Sequence, residues 1–217
     1  MELIVFDLDG TLLNGSGQLS AYTRDTLAAL SKRGVAYTVA TGRTLHASRD
    51  LLRGHGFRLP QVFKNGVMIW NPDKDAYSHQ NYLTLNEVQH VLQAVLAQHI
   101  TPFVFTLASG NRHAIYHAPV QNNTERTLAR EFAARNEVEL LPAARLPADA
   151  EITNISAIGK PSAVSAIQTF ISEEPHLVAY VGTAWEDESL CWIDIHHAQA
   201  SKGGAIETLK EMLGLQR

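Results

Sequence analysis

An apolar run that ends abruptly in two acids constrains this chain more than any other feature. Leu3-Ile4-Val5-Phe6 leads straight into Asp7-Leu8-Asp9-Gly10-Thr11-Leu12-Leu13. A short, continuously apolar segment of this kind reads as a strand buried on both faces of a parallel sheet. Ligands of open α/β sheets bind outside the carboxyl ends of the strands, and Asp7 stands at such an end. Two carboxylates one residue apart, beside a glycine, are poor core material, because an unpaired buried charge is costly. The plain alternative is an Asp/Gly surface turn. The strand before the acids and the partners further along the chain favour a site.

The pattern after the acids supports a parallel sheet. Thr23, Leu27 and Leu30 repeat at helical spacing after Ser20, and Gly34 supplies a stop. Val35–Ala40 reads as a second strand, and Thr41-Gly42-Arg43 turns into a helix carrying Leu45, Leu51 and Leu52. Gln61-Val62-Phe63-Lys64 reads as a third strand, followed by a hairpin-like Asn65-Gly66 and by Val67–Trp70. Strand–helix–strand alternation predicts an α/β layer structure.

Near residue 80 the texture changes. Thr84-Leu85-Asn86-Glu87 is a capping box opening a helix with Val88, Val91, Leu92, Val95 and Leu96 on one face. Candidate strands follow at 103–107, 113–117, 152–158, 177–181 and 190–195. Helices are expected around Leu128 and Phe132 and from Pro161. This reads as an inserted α+β module over 81–190, of ordinary domain size, interrupting a core made of 1–80 and 191–217. A last helix runs from Ser201 with Ile206, Leu209 and Leu213 on its apolar side.

Composition narrows the class. With 217 residues, 45% hydrophobic, 18% charged and one cysteine, the chain is neither collagenous nor disordered nor a disulfide miniprotein. A net charge of −4 gives no general attraction to nucleic acid or anionic lipid. Apolar stretches fall far short of the ~20 residues of a membrane helix. The first residues, Met1 to Asp7, lack a basic leader region. Cys191, in an apolar run, reads as a small core residue, and its solitude suits a reducing cytoplasm.

The segment Asp7–Leu13 resembles the first motif of the haloacid dehalogenase-like (HAD) hydrolase superfamily. Together with Val39-Ala40-Thr41-Gly42-Arg43, Asn65-Gly66 and Ala200-Ser201-Lys202-Gly203-Gly204-Ala205, it resembles the Cof-type phosphatase branch. The resemblance implies a Rossmann-like parallel-sheet core with an inserted α+β cap that closes over the site and excludes water. It further implies a Mg²⁺-dependent phosphatase acting on small phosphorylated metabolites, sugar phosphates foremost, in the cytoplasm.

The residues suit that chemistry. Phosphomonoester hydrolysis needs an oxygen nucleophile, a proton for the leaving alcohol and positive charge for the phosphoryl oxygens. Asp7 is the natural nucleophile, forming an aspartyl-phosphate. Asp9 would protonate the alcohol and then activate water. HAD dehalogenases lack this second acid, so Asp9 favours phosphoryl transfer. Carboxylates facing a phosphate call for a hard cation, and oxygen ligands point to Mg²⁺. By resemblance, Asp7 supplies its side chain and Asp9 its backbone carbonyl to the metal.

The Thr41 hydroxyl and the Gly42 N–H make an anion site at a helix mouth, or Thr41 is simply a helix N-cap. By resemblance, the Leu8 N–H also faces the phosphate, and Lys202 orders nucleophile and phosphate. The alternative for Lys202 is a flexible surface lysine. Arg43 is either a second cationic contact or a salt-bridged surface residue. Asn65-Gly66 either borders the site or is a plain turn.

Other features carry less. The ten histidines are scattered, and His196-His197 would diverge on a strand. Gly15-Ser16-Gly17 lacks the third glycine of a dinucleotide fingerprint. Substrate choice would rest on residues of the inserted module such as Arg112, His113, Asn122, Asn123 and Trp185. The superfamily's fourth motif, a strand with further acids, has no counterpart here; Asp194 precedes Lys202 and reads as a strand residue. The expectation is therefore an incomplete core, with the native chain continuing past Arg217 by about 50 residues. Two other functions stay open: a non-catalytic phosphate- or metabolite-binding relative, and a phosphomutase.

Overall fold

A computed structural model describes residues 3–108, 112–134, 138–184 and 187–215. Contacts divide the chain into two units, Met1–Asn81 with Gln199–Arg217, and Tyr82–Ala198.

In the first unit, β1 (Leu3–Phe6) pairs in parallel with β2 (Ala36–Val39), from Leu3↔Ala36 to Phe6↔Val39. One parallel bridge, Ala40↔Val62, continues to β3 (Gln61–Phe63). The sheet then turns antiparallel through β4 (Met68–Asn71) and β5 (Ala76–Gln80). The parallel expectation holds for the first three strands. β5 was not legible, because its short run Ala-Tyr-Ser-His-Gln is mostly polar. Helix α1 (Ala21–Lys32) starts at Ser20, whose side chain accepts from Thr23 N, and α2 (Leu45–Leu52) starts at Thr44, which accepts from Ala47 N. Leu27, Val39, Phe63 and Leu8 are buried together beneath these helices.

The second unit is one six-stranded sheet. Its strands are β6 (Phe103–Ala108), β7 (Arg112–His117), β8 (Val138–Pro142), β9 (Glu151–Gly159), β10 (Leu177–Thr183) and β11 (Cys191–His197), in spatial order β10-β11-β9-β6-β7-β8. Every neighbour is antiparallel except β7 with β8.

Among the described residues, three α-helices accompany the sheet: α3 (Leu85–Ala97), α4 (Asn123–Ala133) and α5 (Pro161–Ser172). Apolar residues of α3 and α5, such as Val91, Val95, Ile167 and Ile171, share a core with Ile155 and Ile195. On another patch, Phe132 of α4 meets Phe103 and Phe105 edge to face, with ring centroids 5.4 Å apart. The capping box of α3 forms as read: Thr84 and Glu87 bond each other's backbone N–H. Cys191 is a partly buried residue against this core.

The module boundary at 190 is corrected. Residues 191–197 are β11, bonded on one side to β10 and on the other to β9, inside the second unit. Its alternation puts Ile193 and Ile195 in the helix-packed core and Asp194 and His196 on the other side. An apolar run cannot by itself say which strands it pairs with. β8 was also missed, a short edge strand hydrogen-bonded to β7 and packed on the apolar patch of α4. Helix α6 (Lys202–Met212) ends the described chain in the first unit. No helix among the described residues is long and apolar enough to cross a membrane.

Candidate active site

The chain leaves β1 at Asp7 and makes a wide turn closed by Leu13 N to Leu8 O, at 2.9 Å. Gly10, at φ 72°, turns the chain back within it. Leu8 and Leu12 anchor the turn in the core at 0% and 7% exposure, each worth about 1.5–3 kcal/mol of burial. The acids on either side of Leu8 are less buried. Asp7 is half-buried and Asp9 exposed.

Asp7 is held from two sides. Its Oδ1 accepts from its neighbour's amide, Leu8 N, at 2.8 Å. Its Oδ2 lies 3.0 Å from Lys202 Nζ. Lys202 is the first residue of α6, with Ser201 as N-cap bonding Gly204 N. A lysine in a first helical turn opposes the helix dipole, and here the Asp7 carboxylate offsets it. The Leu8 N–H, expected to face a phosphate, donates here to the carboxylate of its own neighbour.

Asp9 is gripped by Arg43. The guanidinium Nε donates to Oδ2 at 2.9 Å and NH2 donates to Oδ1 at 2.7 Å, a fork-on-carboxylate pairing. This hydrogen bond to Asp9 raises the Arg43 pKa above its ordinary value, against a smaller opposing effect of burial. Of the two readings of Arg43, the structure shows the salt-bridged one.

Thr41 is fully buried at the end of β2. Its Oγ1 accepts from Arg43 N at 3.1 Å. The cap of α2 is Thr44, so the N-cap reading of Thr41 is not the one observed. The exposed Gly42 amide has no acceptor among the described residues.

The loop after β3 joins these pieces. Lys64 and Asn65 both adopt left-handed backbone, at φ 50° and 52°, a conformation costing of order 1–3 kcal/mol for non-glycine residues. Two backbone bonds hold them there, Lys64 N to Arg43 O and Asn65 N to Thr41 O, both 3.0 Å. Gly66, at φ 103°, lies so close to Ser201 that a Cβ would fall on the Ser201 carbonyl. The loop therefore ties the Thr41–Arg43 turn to the start of α6, where Lys202 sits. The hairpin expected at Asn65-Gly66 is present, and it is more than a plain turn. The role of Lys64 in it was not anticipated, since lysine carries no sequence signal for left-handed backbone.

The donors that could hold a metal are the Asp7 carboxylate and the Asp9 carbonyl. Both are hard oxygens of the kind Mg²⁺ takes, and that ion commonly fills its remaining positions with water and substrate phosphate. Among the described residues, no group of three or more His, Cys, Asp or Glu is placed to hold a metal. The donor chemistry suits Mg²⁺, with two protein oxygens out of its octahedral set.

Residues 4–217 match the family described as haloacid dehalogenase-like hydrolase. The chain belongs to that family. This HAD chain is 24% identical over 221 residues to YxeH of Bacillus subtilis, covering 100% of itself and 77% of that protein. It is 32% identical over 80 residues to the phosphatase YwpJ of the same organism, a match spanning 37% of this chain and 28% of YwpJ. Among solved structures, a haloacid dehalogenase-like hydrolase from B. subtilis superposes with a TM-score of 0.73 at 20% identity. That match covers 100% of this chain and 80% of the other. A HAD subclass IIB sugar phosphatase gives 0.70 at 15% identity, covering 100% and 77%. The HAD fold is thereby shown for this chain.

The residues expected to choose substrate do not form one group. Asn122 caps α4, its side chain accepting from Glu125 N at 2.9 Å, and Asn123 begins that helix. Arg112 is exposed and His113 buried on β7, and Trp185 lies outside the described residues. The tertiary structure adds a cluster that no motif announced. Asn154 Nδ2 and Ser156 Oγ on β9 both donate to Asp194 Oδ1 on β11. His196 Nε2, fully buried, approaches Asp194 Oδ2 to 3.2 Å without hydrogen-bond alignment. As expected for a strand, His196 and His197 point to opposite faces.

Proposed function

We propose that this chain hydrolyses small phosphate monoesters through an aspartyl-phosphate at Asp7. The observation that carries the reading is the Asp7 carboxylate itself: it ends β1, is oriented by the Leu8 amide and the Lys202 ammonium, and remains open to solvent on one side. A carboxylate has about four lone-pair sites, so these two contacts leave capacity for attack. Asp7 would displace the alcohol from phosphorus, forming an acyl phosphate and breaking the ester P–O bond. Lys202, beside it, would offset charge on the phosphoryl oxygens. The Gly42 amide is a further donor for them, and the Thr41 hydroxyl would join it once its turn opens.

Asp9 would give its proton to the departing alkoxide and take one from the water that cleaves the acyl phosphate. Both Asp9 oxygens are engaged by Arg43 in the present state, so catalysis requires that fork to let go. Arg43 then becomes a cation available to the phosphate. Mg²⁺, held by the Asp7 side chain and the Asp9 carbonyl, would supply charge neutralisation for the attacking and transferring groups. Sugar phosphates are the favoured substrate class; the support is the fold shared with a sugar phosphatase.

The test is turnover of p-nitrophenyl phosphate with Mg²⁺ by the wild-type chain and by Asp7→Asn. Wild-type turnover and a loss of about 10³-fold or more in the variant, with unchanged circular dichroism, is the expected result. Equal residual rates would favour a phosphate-binding relative without catalysis.

A further inference from the structure

A concave site lies in the first unit, along α2 and the loop that follows it. It is a groove of about 430 Å³, within the size range of small-molecule sites. Three arginines line it, Arg49, Arg53 and Arg58, in a chain whose net charge is −4. Asp75 lies on its rim, so the lining stays net positive. Cations near a helix C-terminus are ordinary, which accounts for Arg49 and Arg53. Arg58 stands beyond the helix and has no carboxylate partner among the described residues.

The floor is apolar and fixed. Leu52, Phe57 and Trp70 are nearly fully buried. The loop carrying Arg58 is pinned from beneath, since Tyr37 Oη donates to His55 O at 2.8 Å and Gln61 Nε2 donates to Phe57 O at 3.1 Å. Trp70 is braced edge to face by Tyr77, with centroids 5.1 Å apart. The Arg49 guanidinium lies over the Trp70 ring, 5.8 Å from its centroid. Arg49 is exposed, so its cation can also meet a ligand in the groove. Among the described residues, Arg53 pairs with the exposed Asp50, at 3.1 Å, a surface bond worth little and easily exchanged for a stronger anion.

We infer that this groove binds a nucleoside phosphate. Guanidinium forks match phosphate oxygens and stack on flat rings. Arg53 and Arg58 take the phosphate, and the base stacks on the Arg49 guanidinium beside Trp70. The groove shares no residue with the Asp7 turn. Its occupancy does not depend on the phosphatase reading.

The experiment is a fluorescence titration of the whole chain with N-methylanthraniloyl-ADP in EDTA, run on wild type, Lys202→Ala, Arg49→Ala and Arg58→Ala. Thermal melts confirm that each variant folds. Saturable binding is expected in wild type and in Lys202→Ala, weakened about tenfold or more in each arginine variant. Unlabelled ADP should displace the probe at far lower concentration than inorganic phosphate. Absence of saturable binding at millimolar probe would overturn the proposal. So would binding that is lost in Lys202→Ala and indifferent to the arginines, which would put the nucleotide at the Asp7 turn. Equal displacement by phosphate and ADP would remove the base from the recognition.

Discussion

Asp7 and Glu125 are both carboxylates at the edge of a secondary element, one in each unit, and their surroundings differ sharply. Glu125, in the first turn of α4, is 0% exposed. It accepts from Thr101 N at 2.8 Å, Thr101 Oγ1 at 2.7 Å and Gln121 N at 2.6 Å. The positive end of the helix adds to that support. Three of its about four lone-pair sites are engaged in joining α4 to the strand entry at β6. The Asp7 side chain is 40% exposed with two partners. A carboxylate surrounded by donors builds structure; one given only enough donors to fix its direction keeps the capacity to react. Asp9 lies between these cases, satisfied by a single arginine that can leave.

The largest expected effect tests the reactive side of that contrast. Asp9→Asn should lower kcat for p-nitrophenyl phosphate by about 10²–10⁴-fold, with the melting temperature little changed, because the Arg43 pair is half-exposed and worth at most about 1 kcal/mol. A rate within twofold of wild type would remove Asp9 from proton transfer. Next comes the structural side. Glu125→Ala leaves buried donors unsatisfied and should cost about 3 kcal/mol, seen as accelerated amide exchange in α4 and β6. If it instead lowered kcat at unchanged stability, the division between the two carboxylates would break.

Gly66→Ala tests whether the loop after β3 holds Lys202 in place. The added Cβ meets the Ser201 backbone, so a loss of roughly 2 kcal/mol should accompany reduced turnover. An unaffected rate would show that the register of α6 is set elsewhere. The smallest effect concerns the α3 cap. The Thr84 side-chain and backbone hydrogen bonds hold the Glu87 pKa below its ordinary value. A depressed native pKa contributes stability above the unfolded value that is lost as pH falls through the native one. Comparing thermal melts of wild type and Glu87→Gln at pH 7 and pH 3 should show a difference of a degree or two at pH 7 that shrinks at pH 3.

Much of both units is legible where the signals are local. The apolar run before Asp7 and the cap at Ser20 in the first unit, and the Thr84/Glu87 box in the second, each act within a few residues, and the structure shows all three. The misreadings share a physical cause. β5 and β8 are short edge strands whose existence depends on β4 and β7. β11 was assigned to the wrong unit because its run of residues specifies a strand without specifying its partners. In the site, the acids, Thr41 and Lys202 were visible as residue types in a motif order. That Arg43 occupies Asp9, that the Leu8 amide serves Asp7, and that Lys64 takes a left-handed turn were not visible.

The sequence by itself determined which groups are available: two acids at a strand end, a lysine at a helix start, and a glycine where two loops touch. It also sufficed for membership in the HAD family, because motif order survives without coordinates. The tertiary structure alone decided which cation each acid meets, since Arg43 and Lys202 lie 34 and 195 residues from their partners along the chain. It alone assembled the arginine groove and buried Glu125. Pairings at such separations are set by the packing of strands and helices, and local sequence carries no record of them.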